Sequence, residues 1–532
     1  MADSVPTLDT LRKLRRFLCL GNESALYQAG SSEQRIGTVS PDHASTVHEM
    51  LAAERGEEVV GEVSKFLSTN SAETRRGPAL YALAVCARHA DQSHKTKQAA
   101  MRVFATSCVS TADLFTFIFY CQSLTDKKKG WGRALKTGVQ RWFDSRDCMT
   151  LAKLVTQQKT SCGWSYMDLL RVTHILPKTE GAKMIAKYVM KGLKAAQEEF
   201  GGEKTGSDMQ DSLSYLAVLE QVKGVTEEVA AAALVEQHKL HLSQVPSHLH
   251  HLPQVLAALA RQMTLTETLQ HIGRLACHQV LEPTFPAASD IAERIGDHKT
   301  VQEEKVSPIA VLIAMRVYET GSAAKKWTRN NSVVEALNTA FAAALKHNVK
   351  ATNKRYLLAV NINQQFVSCW THGVKVLSPV IGAAGLAQVL AHTEQNPTLA
   401  FFDTDVTPIT LTDTMQMPEI GEAIVKHASG GENSKCICDL SAPVTWAEKQ
   451  KKAYDVIIIM TDFRHPKSFS DLPAAFKQYR RALALPHAKL VVCGLTSSYV
   501  QLADSQDSGM LDIAGFDASI PTLIHSFVTG DL

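Results

Sequence analysis

From about residue 8 to 350, apolar side chains recur at helical spacing in stretches of roughly 12 to 18 residues, broken by short polar, Gly or Pro segments. Pro78–Ala90, Val229–Leu240, Leu252–Met263 and Ile309–Tyr318 carry this spacing, and breaks fall at Gly130, Gly163, Pro177, Gly201–Gly202, Pro246 and Pro283. Strand-like alternation is almost absent there. Helix pairs stacked one after another predict an α-solenoid of the HEAT type, although no strict period repeats. After Asn353 the pattern changes. Short apolar runs (Tyr356–Val360, Thr398–Phe402, Val456–Met460, Leu490–Cys493) alternate with helical stretches such as Ala384–His392 and Leu472–Ala484. That alternation predicts a parallel, doubly wound sheet. A helical domain over 1–353 and an α/β domain over 354–532 follow.

At 532 residues, 45% apolar and 20% charged, the chain has the make-up of an ordinary globular protein with material for several domains. Its net charge of +3 sets no global preference, so any nucleic-acid surface must be local. No segment approaches the ~18 uninterrupted apolar residues of a membrane span. The start, MADSVPTLDTLRKLRR, lacks the basic-then-apolar order of a secretory signal. Eleven cysteines, an odd and scattered set with Cys86 and Cys493 inside apolar runs, fit reduced thiols in the cytoplasm or nucleus rather than a disulfide framework.

Positive charge is concentrated between Lys127 and Lys194. Lys127, Lys128, Lys129, Arg133, Lys136, Arg141, Arg146, Lys153, Lys159, Arg171, Lys178, Lys183, Lys187, Lys191 and Lys194 are opposed only by Asp144, Asp147, Asp168 and Glu180, a local excess of eleven. Cations at this density neutralise phosphates, release counterions and give salt-sensitive affinity. Trp131, Trp142, Trp164 and His174 are interleaved with them, as on surfaces that stack bases. The competing interpretation is a solvated helix face with its tryptophans in the core. His238, His241, His248, His250 and His251 include a pair three residues apart, a spacing compatible with metal ligation. No acidic or cysteine partner is suitably spaced, which favours exposed or capping histidines. Cys436 and Cys438 make half a zinc site without a second pair. No nucleophile elbow, P-loop or HExxH motif occurs, and Gly430–Gly431 precedes no Gly-Lys-Ser/Thr.

Several ordered blocks run nearly from end to end. They are Arg16-Phe17-Leu18-Cys19 with Gly21, Leu114–Ile118, Trp131–Leu135, Gly163-Trp164-Ser165 with Asp168–Arg171 and His174, Lys354–Val360, Val492–Ser497, Gly509–Asp512 and Gly515-Phe516-Asp517. On these blocks the chain resembles the TROVE family of Ro-type ribonucleoprotein components. The resemblance implies a ring of HEAT-like helices closed by a doubly wound von Willebrand factor A-like domain. It also implies Y-type small non-coding RNA on the outer basic surface and single-stranded 3′ ends of misfolded RNAs in a central hole, a role in RNA quality control. The residues then expected against RNA are Lys127, Lys128, Lys129, Arg133, Lys136, Lys153, Lys159, Arg171, His174, Lys178, Lys183 and Lys187. Two positions that the family fills with basic residues are Gln157 and Ser161 here, and Lys153 and Lys159 lie close enough to offset part of the loss.

The family's von Willebrand factor A domain holds a magnesium-like ion with Asp-x-Ser-x-Ser, a distant Thr and an Asp. Here the turn after the apolar run Tyr356–Val360 presents Asn361, Asn363 and Gln365. Gly430-Gly431 is followed by Glu432 and an insertion through Cys438, and only Asp462 is retained. Magnesium is a hard ion held through carboxylates, hydroxyls and water, so losing the first carboxylate removes much of the attraction that offsets dehydration. The expectation is a degenerate site without a divalent cation, with Asp403, Asp405 and Glu432 as the nearest substitutes. Asp462 reads equally as a strand-end turn or helix cap. Non-catalytic RNA binding follows as the leading function. The alternative is a protein-interaction scaffold whose α/β domain binds partners without metal. A hydrolase centre built from Asp403, Asp405, Asp462 and Asp504 has little support. Family likeness favours a monomer, with no membrane partner.

Overall fold

The computed structural model describes residues 9–30, 39, 41–69, 75–89, 94–125, 131–202, 206–321, 327–403, 405–429, 438–462 and 471–532. The chain packs into two compact units, one of Lys13–Glu23 and Gln34–Gln262, the other of Met1–Arg12, Ser24–Glu33 and Met263–Leu532. Nine strands form among the described residues: β1 (Leu26–Gln28), β2 (Thr160–Ser161), β3 (Trp164–Ser165), β4 (Tyr356–Asn361), β5 (Thr398–Phe402), β6 (Val406–Thr410), β7 (Val456–Thr461), β8 (Lys489–Gly494) and β9 (Met510–Ala514).

The first unit is helical, and helices fall where the spacing predicts them, at Gly77–Arg88, Glu228–His238 and Pro253–Ala260. Gly77–Arg88 is buried from Pro78 to Ala87. Its run of Ala, Leu and Val is apolar all round, so it sits as a core helix rather than an amphipathic one. Gly56–Thr69, Lys95–Ser107 and Thr111–Ser123 pack against it, so neighbours in sequence are neighbours in space. Aromatic rings fill the joints: Phe104 stacks on Phe117 with centroids 4.3 Å apart. A buried ion pair, Arg76–Asp113 at 3.1 Å, ties helix ends together, and the same guanidinium donates to the Leu67 and Ser107 carbonyls. Removing one partner of such a pair leaves an uncompensated buried charge, at a cost of about 3–5 kcal/mol.

The second unit is built on a seven-stranded sheet in the order β1-β9-β8-β7-β4-β5-β6, parallel except where β6 pairs antiparallel with β5. Every residue of β4 and β7 is buried, as uninterrupted Val, Ile and Leu allow when both faces of a sheet are covered. The expected change of pattern near 350–355 lies between the helix Asn331–His347 and β4. Helices Pro308–Thr320 and Asn331–His347 pack on the sheet's own helix Pro379–Thr393, and the Ser307 hydroxyl donates to the Ala518 carbonyl at 2.8 Å. These contacts place the preceding helices in the same compact unit as the strands. β6 carries Pro408 at an edge, where a missing ladder N–H does no harm. Among the described residues no helix is long and apolar enough to cross a membrane.

Asp512 interrupts β9 in the middle of this core. One carboxylate oxygen accepts the N–H groups of Leu502 and Ala503 at 2.7 and 2.9 Å, while Oδ1 is buried without a partner among the described residues. Burial pushes its pKa up to about 6, against the pull of those two hydrogen bonds. The folded chain thus holds a proton that the unfolded chain releases near pH 4, so this group's contribution to stability falls as pH rises from about 4 to 6. Asn cannot ionise and keeps the acceptor oxygen. The melting temperature of Asp512→Asn, measured against the parent chain, is therefore expected to be more favourable at pH 7 than at pH 5. A pH-independent difference between the two melting curves contradicts a buried ionised carboxylate.

Candidate functional site

The basic segment lies in the helical unit. Helix Gly132–Asp144 buries Leu135, Gly138, Val139, Trp142 and Phe143 on one side, leaving Arg133 and Arg141 exposed and Lys136 half-buried. Helices Cys148–Gln157 and Tyr166–Thr173 carry Lys153 and Arg171 into solvent. Lys159, His174 and Lys178 are exposed in the connecting segments. Along Glu180–Phe200, Lys183, Lys187 and Lys191 stand four residues apart on one stripe. That helix breaks at Gly192, whose φ of 85° suits glycine alone. Lys127, Lys128 and Lys129 lie outside the described residues.

All four acids of the segment are engaged. Asp147 caps Cys148–Gln157, accepting the Thr150 hydroxyl and N–H at 2.6 and 2.7 Å, and these bonds hold its carboxyl below the usual range. Asp168 completes a capping box with Ser165. Asp144 accepts the N–H groups of Lys178 and Thr179 at 2.7 and 3.3 Å, just ahead of Glu180–Phe200. Three negative charges are thus matched to backbone N–H groups at or beside helix N-termini, the positive ends of helix dipoles, instead of to basic side chains. Glu180 pairs with Lys183, and Lys187 pairs with Glu199. Among the described residues Arg133, Lys136, Arg141, Lys153, Lys159, Arg171 and Lys178 form no ion pair. Arg146 is different: its guanidinium lies 3.9 Å from the Trp142 ring centroid and donates to the Cys108 carbonyl at 2.6 Å, so it holds the core.

Gln157 ends its helix, and Ser161 belongs to the hairpin of β2 and β3. The turn Cys162-Gly163 has φ of 53° and 75°, the two left-handed residues that a two-residue hairpin turn needs. Two-residue strands show no alternation, so the hairpin was invisible to pattern reading except through Gly163. Trp164 on β3 meets Trp131 edge-on at 5.1 Å, both half-buried, whereas Trp142 is wholly core and donates its indole N–H to the Cys108 carbonyl at 2.7 Å. His174 closes Tyr166–Thr173 in the left-handed region, φ 49°, with its ring in solvent beside the exposed Leu176.

In the sheet unit, β4 and β7 are adjacent strands whose connections leave in opposite directions, the switch point where such folds place ligands. Asn361, Asn363 and Asp462 converge at their carboxyl ends, 0%, 6% and 4% exposed. Asn361 Oδ1 accepts the Asn363 N–H at 2.9 Å, and Asn363 Oδ1 accepts the Phe366 N–H at 2.7 Å, capping Gln364–Ser368. With both oxygens engaged, both Nδ2 groups turn toward Asp462 Oδ1, at 3.4 and 3.2 Å. Asn361 Nδ2 also donates to Thr461 Oγ1 at 3.2 Å. A hard cation needs oxygens aimed inward; here amide hydrogens meet the carboxylate. Among the described residues, these side chains present amide hydrogens rather than inward-facing oxygens where a von Willebrand factor A fold implies a divalent ion. The Gln365 side chain and Glu432 lie outside the described residues, among which no group of three His, Cys, Asp or Glu side chains could hold a metal.

Of the remaining candidates among the described residues, only Asp403 is brought near Asp462, both acting on the Cys438 thiol. His241 caps Leu242–Gln244 through Nδ1, and His250 Nε2 lies 2.9 Å from the Val245 carbonyl, so these rings serve the backbone. Burial drives the Cys438 thiol well up, and Asp462, Asp439 and Asp403 add to it, which keeps it protonated and inert. Cys436 lies outside the described residues. Asp504 is held by Lys477 at 2.7 Å, and Asp403 accepts the Asp405 N–H at 3.0 Å.

A helical N-terminal region joined to a doubly wound, mostly parallel sheet with its polar cluster at the switch point defines a helical-repeat protein with a von Willebrand factor A-type domain. Residues 3–254 match the TROVE domain model, and residues 355–528 match the model described as the Ro60 vWA domain. The chain thus carries a TROVE domain followed by a Ro60-type vWA domain. It is 24% identical over 582 residues to RNA-binding protein RO60 of Caenorhabditis elegans, covering 98% of this chain and 88% of that protein. Against RNA-binding protein RO60 of Deinococcus radiodurans it is 26% identical over 544 residues, covering 99% and 94%. The crystal structure of the Deinococcus radiodurans RO (RSR) protein superposes with a TM-score of 0.83 at 26% identity, covering 98% of this chain and 100% of that one.

Replacing Asn361 by Asp sets a second carboxylate against Asp462, and a buried polar group without a partner costs about 1–3 kcal/mol. By scanning fluorimetry the parent chain should melt at one temperature in EDTA and in millimolar magnesium. Asn361→Asp should melt lower and recover part of the loss on adding magnesium. A magnesium-dependent rise in the parent chain contradicts the donor-set argument.

Proposed function

We propose that this chain is a non-catalytic RNA-binding protein of small non-coding RNA ribonucleoproteins. It takes structured RNA of the Y type on the basic surface of the helical unit and single-stranded 3′ ends of misfolded RNAs, in the service of RNA quality control. The observation that carries this reading is the set of solvent-facing cations (Arg133, Lys153, Lys159, Arg171, Lys178) whose neighbouring acids are engaged by helix N-termini and by Lys183. His174 stands among them with its ring in solvent. That both RO60 relatives are RNA-binding proteins supports the RNA-binding part of it. Gln157 and Ser161 put no cation at two positions, so the phosphate contacts rest on their neighbours.

Filter binding of a small structured RNA across a salt series tests the proposal. Each phosphate contact contributes about −0.9 to the slope of log affinity against log salt on a duplex. The triple substitution Lys153→Ser, Lys159→Ser, Arg171→Ser should therefore flatten the slope by roughly 2 to 3 and weaken binding to all sequences alike. Affinity no greater than that of an unrelated protein of equal charge rejects the reading. For 3′ ends, a tailed duplex should outcompete a blunt one, because unpaired bases are what side chains can reach.

A second reading, a protein-interaction scaffold, is favoured by the amide–carboxylate cluster at Asn361, Asn363 and Asp462, which needs no ion to order the loop it holds. Partners captured through the sheet unit should stay bound in chelator. Their release by EDTA rejects a metal-independent surface.

A further inference from the structure

The amino ends of β4, β5 and β7, at the opposite end of the sheet from the amide cluster, bound a cleft of about 530 Å³. Lys354, Arg355 and Lys452 line it together with the carboxamides of Asn353, Gln395 and Asn396, and no carboxylate is among its lining residues. Three tight turns make its rim: Asn353, Asn396 and Lys451, at φ of 56°, 49° and 52°, redirect the chain into β4, β5 and β7. Left-handed backbone of this kind is most readily tolerated by glycine and asparagine.

The cations of the cleft are not equivalent. Arg355 is committed to Asp455 by two bonds of 2.9 and 2.8 Å. Lys354 and Lys452, both exposed, form no ion pair among the described residues, although the Lys354 charge is felt by the Asp455 carboxylate that Arg355 holds. The Lys452 ammonium lies 5.0 Å from the Trp446 ring centroid, which steadies it without neutralising it. Glu394, the buried acid nearby, accepts the N–H groups of Thr352 and Lys354 at 2.7 and 3.4 Å and leaves the Lys354 ammonium alone.

We propose that this cleft binds single-stranded RNA, its two lysines meeting backbone phosphates and its carboxamides meeting base edges or 2′-hydroxyls. The volume suits a nucleotide-sized group. Carboxamides offer donors and acceptors together, which nucleotides require and a purely acidic peptide does not. The assignment rests on the RNA-binding reading but adds a contact on the sheet unit, distinct from the basic segment of the helical unit.

Fluorescence anisotropy of the full chain with a labelled twelve-nucleotide oligouridylate tests it. The double variant Lys354→Ser, Lys452→Ser should bind about tenfold or more weakly at 0.1 M salt, and its salt slope should fall by about 1.4, two single-strand phosphate contacts. Lys354→Arg, Lys452→Arg should retain affinity, and structured RNA should bind the serine variant as it binds the parent. Oligonucleotide affinity indifferent to the serine substitutions overturns the cleft while leaving the basic segment standing. Failure of the parent chain to bind either RNA overturns both. Competition by uridine monophosphate or polyglutamate at equal charge as effective as the oligonucleotide itself overturns the assignment to an RNA strand.

Discussion

β4 and β7 are apolar between their ends and buried along every residue, so they show polar chemistry only where they start and stop. Everything functional about the sheet unit follows from that confinement. At the carboxyl ends the side chains that escape the apolar run are Asn361 and Asp462, brought side by side because Val360 lies opposite Met460 in the parallel register. At the amino ends the same pairing sets Tyr356 opposite Val456 and gathers the approaches to three strands around one opening. The apolar interior between is the rigid spacer.

In the helical unit a different economy of charge operates. Helix starts need acceptors for their free N–H groups, and Asp147 and Asp168 meet that need at their own helices, while Asp144 binds N–H groups just before another. Each such cap stabilises by about 0.5–2 kcal/mol. Because capping ties the carboxylates to the backbone, they do not fold over the surface to quench lysines and arginines. Structural demand and surface potential therefore point the same way, and the positive field is a by-product of how the helices begin.

Much of the architecture is legible in the sequence where apolar runs are long. The helix Gly77–Arg88 announces itself by period, and strands β4, β5, β7 and β8 by short apolar runs. β9 does not, because Asp512 breaks its run, and β1 does not, because three residues carry no pattern. Residue types alone show carboxamides at Asn361 and Asn363. They could not give the amide orientation, which the N–H groups of Asn363 and Phe366 dictate after the turn has formed. Likewise Arg146 is indistinguishable in sequence from Arg141, yet one supports Trp142 and the other faces water. The cleft draws on segments near 354, 396 and 452, and only strand order joins them.

The pairing of β1 with β9 sets Leu26 opposite Asp512, so one border of the sheet is stitched by segments far apart along the chain. On the ribosome β1 emerges before β9 and must wait, unpaired, until residues 510–514 have been synthesised. Loop length itself adds only about 0.6 kcal/mol per doubling, so the delay burdens kinetics far more than equilibrium. During that interval the nascent sheet keeps an open edge, a template for unwanted strand pairing.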